Sequence, residues 1–208
     1  ANATITRGVF LYLPCMITTT TKRFLIGLFS TMALLYRDKR SRRFALIPLL
    51  VIGIGFLLPQ KMVIPVAGAT TSSWDDNSFW AYPWGSSITH KGIDIFAAKG
   101  TDVVSATYGF VVYTYEGGKG GKSVMVLGPK WRFHYYAHLN EISTFPLEPM
   151  WPEKVLGTVG DTGNAKGKPP HLHYAITTPF PYWWLRDSEA VQGNRKMFHL
   201  DPDTWLRK

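Results

Sequence analysis

A single cysteine, Cys15, stands among 208 residues. A lone thiol cannot form an intrachain disulfide, and it excludes a thiolate zinc site of the finger type. Any metal must then be held by histidine and carboxylate. The signature H-E-x-x-H is also missing, so the helical zincin plan is not in use. Acidic residues are scarce where cations are dense. Residues 1–61 hold nine Lys/Arg and one acid, Asp38, whereas 62–208 hold fourteen and thirteen. The basic excess therefore belongs to the N-terminal segment, which fits membrane flanks. The near-neutral remainder argues against a nucleic-acid groove, and no nucleic-acid partner is expected. No internal repeat or low-complexity tract is evident past residue 62, while apolar and aromatic content is ample for a core.

Long hydrophobic runs are lacking too. Phe24 to Tyr36 is an apolar run of thirteen residues, and Phe44 to Leu58 one of fifteen, with the basic cluster Arg37 to Arg43 between them. The second spans roughly 22 Å at about 1.5 Å per residue, short of a hydrocarbon core of about 30 Å unless 62–67 contribute. One reading is a signal peptide starting at Met32 and cleaved at Ala67-Gly68-Ala69. The preferred reading is an uncleaved inner-membrane anchor, because Val63-Ile64-Pro65-Val66 reads as the first strand of the domain and cleavage would cut into it. Both readings export the C-terminal part, to the periplasm or cell-wall space. The chain thus divides into a membrane-targeting segment, 1–61, and a folded domain, 62–208. Pro14 stands where a lipid-carrying cysteine needs a small neighbour, which disfavours that role for Cys15.

From residue 62 onward the chain reads as β. Asp102 to Tyr115 is rich in β-branched and aromatic residues, and Ser123 to Leu127, Trp131 to Leu139, Val155 to Val159 and His171 to Thr177 follow. Short strands at this spacing predict a mainly β, antiparallel fold behind an N-terminal apolar helix. Gly117-Gly-Lys-Gly-Gly-Lys-Ser123 resembles a phosphate loop but is one residue short and opens a strand. It reads as a hairpin turn.

Five of the six histidines fall in three strand-like segments. His171 and His173, one residue apart in a strand, share a face. Two imidazoles side by side are costly to bury without partners, and a divalent metal would use both. His90-Lys-Gly-Ile-Asp94 places an imidazole and a carboxylate four apart, again on one face of an extended chain. His134-Tyr-Tyr-Ala-His138 repeats that spacing. A catalytic zinc needs three protein ligands and an open position. Two neutral imidazoles and a carboxylate leave the ion a net positive charge, able to lower the pKa of water and polarise a carbonyl. Spare imidazoles can then move protons or stabilise an oxyanion. Spacing does not say which histidines ligate and which catalyse.

His90-Lys-Gly-Ile-Asp94, Tyr136-Ala-His138, Gly157-Thr-Val-Gly-Asp-Thr-Gly163 and His171-Leu-His173, in that order, resemble the lysostaphin/LytM-type zinc metallopeptidases, which cut peptide bonds of peptidoglycan. The likeness runs from about Ile64 to Pro181. It implies a compact antiparallel β fold with the site in a groove. It implies Zn2+ held by His90, Asp94 and His173, with His138 and His171 as the catalytic pair. The implied partners are peptidoglycan stem peptides or cross-bridges, together with the membrane through the N-terminal segment. The alternative is a catalytically silent, wall-binding regulator of a partner hydrolase; such relatives usually lack one or more of these five residues. The segment before Val155, with Pro146, Pro149 and Pro152, departs from the family's usual run, which leaves substrate choice open. His134 reads most simply as a strand residue facing away from the site, and His199 as surface or packing. Pro179 to Trp184 reads as a closing edge or an exposed patch. Asp94 and His173 more than about 8 Å apart would exclude a shared ion, since Zn–N and Zn–O bonds are near 2 Å.

Overall fold

The computed structural model describes residues 39–207. Cys15, the Phe24 to Tyr36 run and Met32 lie outside the described residues. By its contacts the chain divides into two units, meeting at Val51 and Ile52.

Helix α1 (Lys39–Leu57) begins inside the basic cluster and contains Pro48. Its apolar part starts only at Phe44, so about 21 Å of its length is apolar at 1.5 Å per residue. Among the described residues no helix is long and apolar enough to cross a membrane. The apolar helix expected there is present, but four cations occupy its first five positions. The predicted strand at Val63 to Val66 is also corrected. That segment makes one isolated bridge, Val66 to Val103, and scattered backbone bonds to 102–106. Pro65 has no N–H to give a ladder, so no regular strand forms.

Among the described residues nine strands make one antiparallel sheet. They are β1 (Ile93–Phe96), β2 (Asp102–Val104), β3 (Gly109–Gly117), β4 (Gly121–Leu127), β5 (Phe133–Ile142), β6 (Pro149–Met150), β7 (Val155–Val159), β8 (His171–Thr177) and β9 (His199–Leu200). The order β1-β8-β5-β4-β3-β6 forms its body. Strand β7 pairs with β2 and β5, and β9 with β8. The run predicted over 102–115 is two strands, because Ser105 to Tyr108 turn the chain. The glycine-rich segment is the predicted hairpin, closed by the Gly117–Gly121 pair.

Alternation gives each strand a core face and an open face. Ile93 and Ile95 of β1, Leu172, Tyr174 and Ile176 of β8, and Val124 and Val126 of β4 are fully buried with Tyr136 and Leu139 of β5. Each fully buried aliphatic side chain of this kind stabilises the fold by about 1.5–3 kcal/mol. The opposite positions, among them Asp94, His171, His173 and Tyr135, face a groove. Burying one face of β1, β8 and β5 therefore fixes what the other face presents.

His134 belongs to the core face. It is fully buried, 2.7 Å from the Tyr174 hydroxyl and 3.1 Å from Gln60 Nε2. Burial, and then the charge of Arg132, push its pKa down to about 3. The unfolded chain, with an ordinary histidine pKa of about 6.5, binds protons that the folded core rejects. Stability is therefore highest above pH 6.5 and falls as pH drops from there toward 3. Urea titrations across that window should show it, and His134→Gln should flatten the slope. An unchanged slope in the variant would place the effect elsewhere.

Candidate metal centre and active site

Three segments bring their side chains to one point. Antiparallel pairing of β1 with β8 sets Asp94 directly opposite His173, and the chain entering β1 carries His90 four residues earlier. His90 Nε2 lies 3.0 Å from Asp94 Oδ1 and 3.0 Å from His173 Nδ1, and His173 Nδ1 is 2.8 Å from Asp94 Oδ1. The expected convergence is thus present, far inside the 8 Å limit. Gly92 makes it possible. A Cβ there would stand 2.4 Å from the Tyr174 carbonyl and 3.0 Å from His173 Cε1, so only glycine lets β1 approach β8 this closely. Gly92→Ala should cost about 1–3 kcal/mol by overpacking and weaken metal retention, read together by thermal melting and zinc titration.

The protonation pattern of this cluster calls for a cation. His90 Nδ1 is 2.9 Å from the Ser78 carbonyl, and a contact with a carbonyl requires the ring proton on Nδ1. Its Nε2 is then a lone pair. That lone pair, the Asp94 carboxylate and His173 Nδ1 stand within 3.0 Å of one another, with at most one proton among them while the rings are neutral. Burial pushes the Asp94 carboxyl up, but its contacts with His173 and His90 outweigh it and hold the group ionised, well below the usual carboxylate range. Burial pushes His173 down, against the pull of Asp94. Two imidazole nitrogens and a carboxylate oxygen, one imidazole oriented by a carbonyl behind it, suit zinc. These three residues could hold a metal ion.

His138 reaches the same groove through an irregularity. In an unbroken strand it would share the core face with His134, four residues earlier. Opposite β4, however, Lys122 pairs with Leu139 and Val124 with Tyr136, so three residues of β5 span two of β4. This bulge turns His138 out beside Ala137. His138 has φ +64°, a left-handed conformation costing about 1–3 kcal/mol for a residue with a Cβ. Local bonds hold it there: His138 N–H donates to the Gly120 carbonyl at 2.8 Å, and Nδ1–H to the Thr162 carbonyl at 2.9 Å. Gly160 packs under the bulge, where a Cβ would stand 2.7 Å from the His138 carbonyl oxygen. Burial, and then the neighbouring His173 and His171, push His138 down to about 4, so it is neutral at neutral pH. His171 is anchored likewise, its Nδ1–H donating to the Pro169 carbonyl at 2.7 Å. Its Nε2 lies 3.8 Å from Asp94 Oδ2, and its ring meets that of His138 edge-on at 5.1 Å.

All five residues singled out by the sequence therefore share one groove of about 860 Å³. His134 does not join them. His199 lies at the groove's edge, 5.5 Å from the Trp80 ring. Three features escaped sequence reasoning. Trp84 stacks on His90 with ring centroids 4.1 Å apart, and no motif marks it. Tyr113 lines the groove because a bulge between Val111 and Tyr113 breaks the alternation that would set it beside buried Val111. The glycine-rich turn borders the groove through Lys119 and Gly120. Trp183 and Trp184 are exposed.

Known proteins resemble this chain in sequence or fold to different extents. Over 114 residues the chain is 36% identical to an L-Ala--D-Glu endopeptidase of Bacillus subtilis (strain 168), covering 50% of this chain and 33% of that protein. The chain thus spans about a third of that relative's length. The catalytic domain of the antimicrobial peptidase lysostaphin from Staphylococcus simulans superposes with a TM-score of 0.53 at 20% identity, covering 66% of this chain and 96% of that one. The LytM protein of Ruminococcus gnavus gives 0.54 at 22% identity, covering 93% and 73%. At such identities these structures establish a shared fold. The family model of peptidase family M23 matches residues 88–188, the span that holds all five groove residues, and this chain therefore carries a domain of peptidase family M23.

Proposed function

We propose that the chain is an exported zinc endopeptidase that hydrolyses peptide bonds of bacterial peptidoglycan. The observation that carries this reading is the meeting of His90, Asp94 and His173 within 3.0 Å, beside two further imidazoles fixed by carbonyls. His90, Asp94 and His173 would hold the ion, and zinc bound there would supply Lewis-acid polarisation of a carbonyl and lower the pKa of water. His138 and His171 each commit Nδ1–H to a carbonyl and so present an Nε2 lone pair to the groove. Neutral His138 takes a proton from the water that attacks the peptide carbonyl carbon. His171, across the Asp94 carboxylate, takes up that proton on its free Nε2 and with it donates to the developing oxyanion. The proton then passes to the departing amine as the C–N bond breaks. Alanine at either position removes the group that moves or holds that proton.

The presence of all five side chains favours an active enzyme over a silent wall-binding regulator. The basic N-terminal segment and its apolar runs support export and attachment to the inner membrane, with the domain in the periplasm or cell-wall space. Digestion of purified sacculi by the zinc-loaded chain, followed by mass assignment of the released muropeptides, tests the function. Intact sacculi after incubation with protein carrying full zinc would overturn it.

A further inference from the structure

The groove is charged asymmetrically. Its lining includes four cations, Lys91, Lys119, Lys168 and Arg195, against one carboxylate, Asp94, which the metal centre already uses. Three of these cations crowd one end. Lys91 Nζ donates only to neutral oxygens, the Ser87 carbonyl at 3.2 Å, the Thr89 carbonyl at 3.4 Å and the Thr89 hydroxyl at 3.1 Å. Lys119, on the glycine-rich turn, reaches across to the Ser86 carbonyl at 2.8 Å. Arg195 comes from the turn that precedes β9. Among the described residues none of the three has a carboxylate partner. The contrast with the next residue is direct, because Lys196 pairs with Asp187 at 2.8 Å.

Lys91 and Lys119 are held by carbonyls of one loop, Ser86 to Thr89, and the Thr89 hydroxyl donates to Gln192, three residues before Arg195, at 3.1 Å. Burial, then Lys91 and Arg195, push His199 down to about 4. Unneutralised like charges facing a groove focus a positive potential there, and an anionic ligand relieves their repulsion. Lys91 immediately follows His90 in the chain, and Lys119 and Arg195 line the same groove as His90, Asp94 and His173. We infer that Lys91, Lys119 and Arg195 form a subsite for a free carboxylate carried by the substrate peptide near the bond that is cut. This rests on the peptidase reading for its place in catalysis, though not for the binding itself. The groove then selects acidic stem peptides over uncharged glycine bridges. It also gives the glycine-rich turn a role, since a short hairpin delivers Lys119 to the groove mouth.

The test uses two tripeptides, L-alanyl-γ-D-glutamyl-L-lysine with its C-terminus amidated, carrying either a free glutamyl α-carboxylate or its amide. Each is titrated by calorimetry into the zinc-loaded full chain. The acid should bind about tenfold or more tightly than the amide at low salt, and the advantage should shrink as salt is raised toward about 200 mM. The double substitution Lys119→Gln with Arg195→Gln, at two exposed positions, should reduce acid binding to the level of the amide. It should leave amide binding as it was. Equal affinities in the unmodified chain, no measurable binding of either probe, or a variant that loses both alike would overturn the subsite. Equal cleavage of both probes would retain the peptidase and remove the subsite. Charge discrimination in binding without cleavage of probes or sacculi would retain the subsite and remove the peptidase.

Discussion

Replacing Asp94 or His173 by alanine is expected to abolish zinc retention and peptide cleavage together. Each supplies one of three donor atoms packed within 3.0 Å, so a single loss leaves two donors for an ion that binds stably with three or more. Asp94 carries the greater weight, as the only anion in the set. Its removal also leaves His173 Nδ1 without its 2.8 Å partner. Lewis-acid stabilisation is worth several kcal/mol of barrier, and each 1.4 kcal/mol is tenfold in rate. Activity on sacculi should accordingly fall by about a thousandfold or more. Mass spectrometry of the purified variants should find little zinc, and thermal melting should find them folded, because the core faces of β1 and β8 are untouched. A strong chelator should reproduce the loss in the unmodified chain, and added zinc should reverse it. Stoichiometric zinc with undiminished cleavage in the Asp94→Ala variant would refute the ligand set.

Replacing His171 or His138 should separate the two properties. Neither ring is among the three donors, so zinc content should stay near that of the unmodified chain while turnover falls by roughly 10²–10⁴-fold, the range typical of a lost general acid or base. His138 needs a suitable replacement. Its backbone at φ +64° is tolerated by asparagine better than by most residues, so His138→Asn removes the imidazole with the least disturbance of the bulge. His171→Ala has no such complication, since that residue lies within regular β8. The two losses should not add when combined, because groups that handle one proton act as a unit. Full activity of His171→Ala on sacculi would refute its role. Loss of zinc in His138→Asn would show that the bulge supports the metal centre rather than the chemistry.

Much of this site is legible in the sequence, for a definite reason. Strand alternation ties residue parity to face, so His171 with His173 could be placed on one surface without coordinates. Each is followed by a core residue, Leu172 and Tyr174, that holds the strand in register. His134 and His138 show where parity fails. Their even spacing predicts a shared face, yet one extra residue at Ala137–His138 sends one ring to the core and the other to the groove. The bulge depends on pairing with β4 and on bonds to Gly120 and Thr162, partners distant in sequence. The strand expected at Val63 to Val66 failed for a related reason. Its β-branched residues suit a strand, but Pro65 and the irregular edge beside it deny a ladder.

From the sequence alone came the five side chains that the groove brings together, the mainly β class and the separation of a basic segment from a near-neutral stretch. Composition and short-range spacing are properties of the chain itself and survive any fold. Only the tertiary structure decided which donor atoms meet, which way His138 turns, that Trp84 lies on His90, and that Lys91, Lys119 and Arg195, without a carboxylate partner among the described residues, line the same groove. Those outcomes depend on contacts across dozens of residues, set by the pairing of β1, β5 and β8 and by the close approach that Gly92 permits.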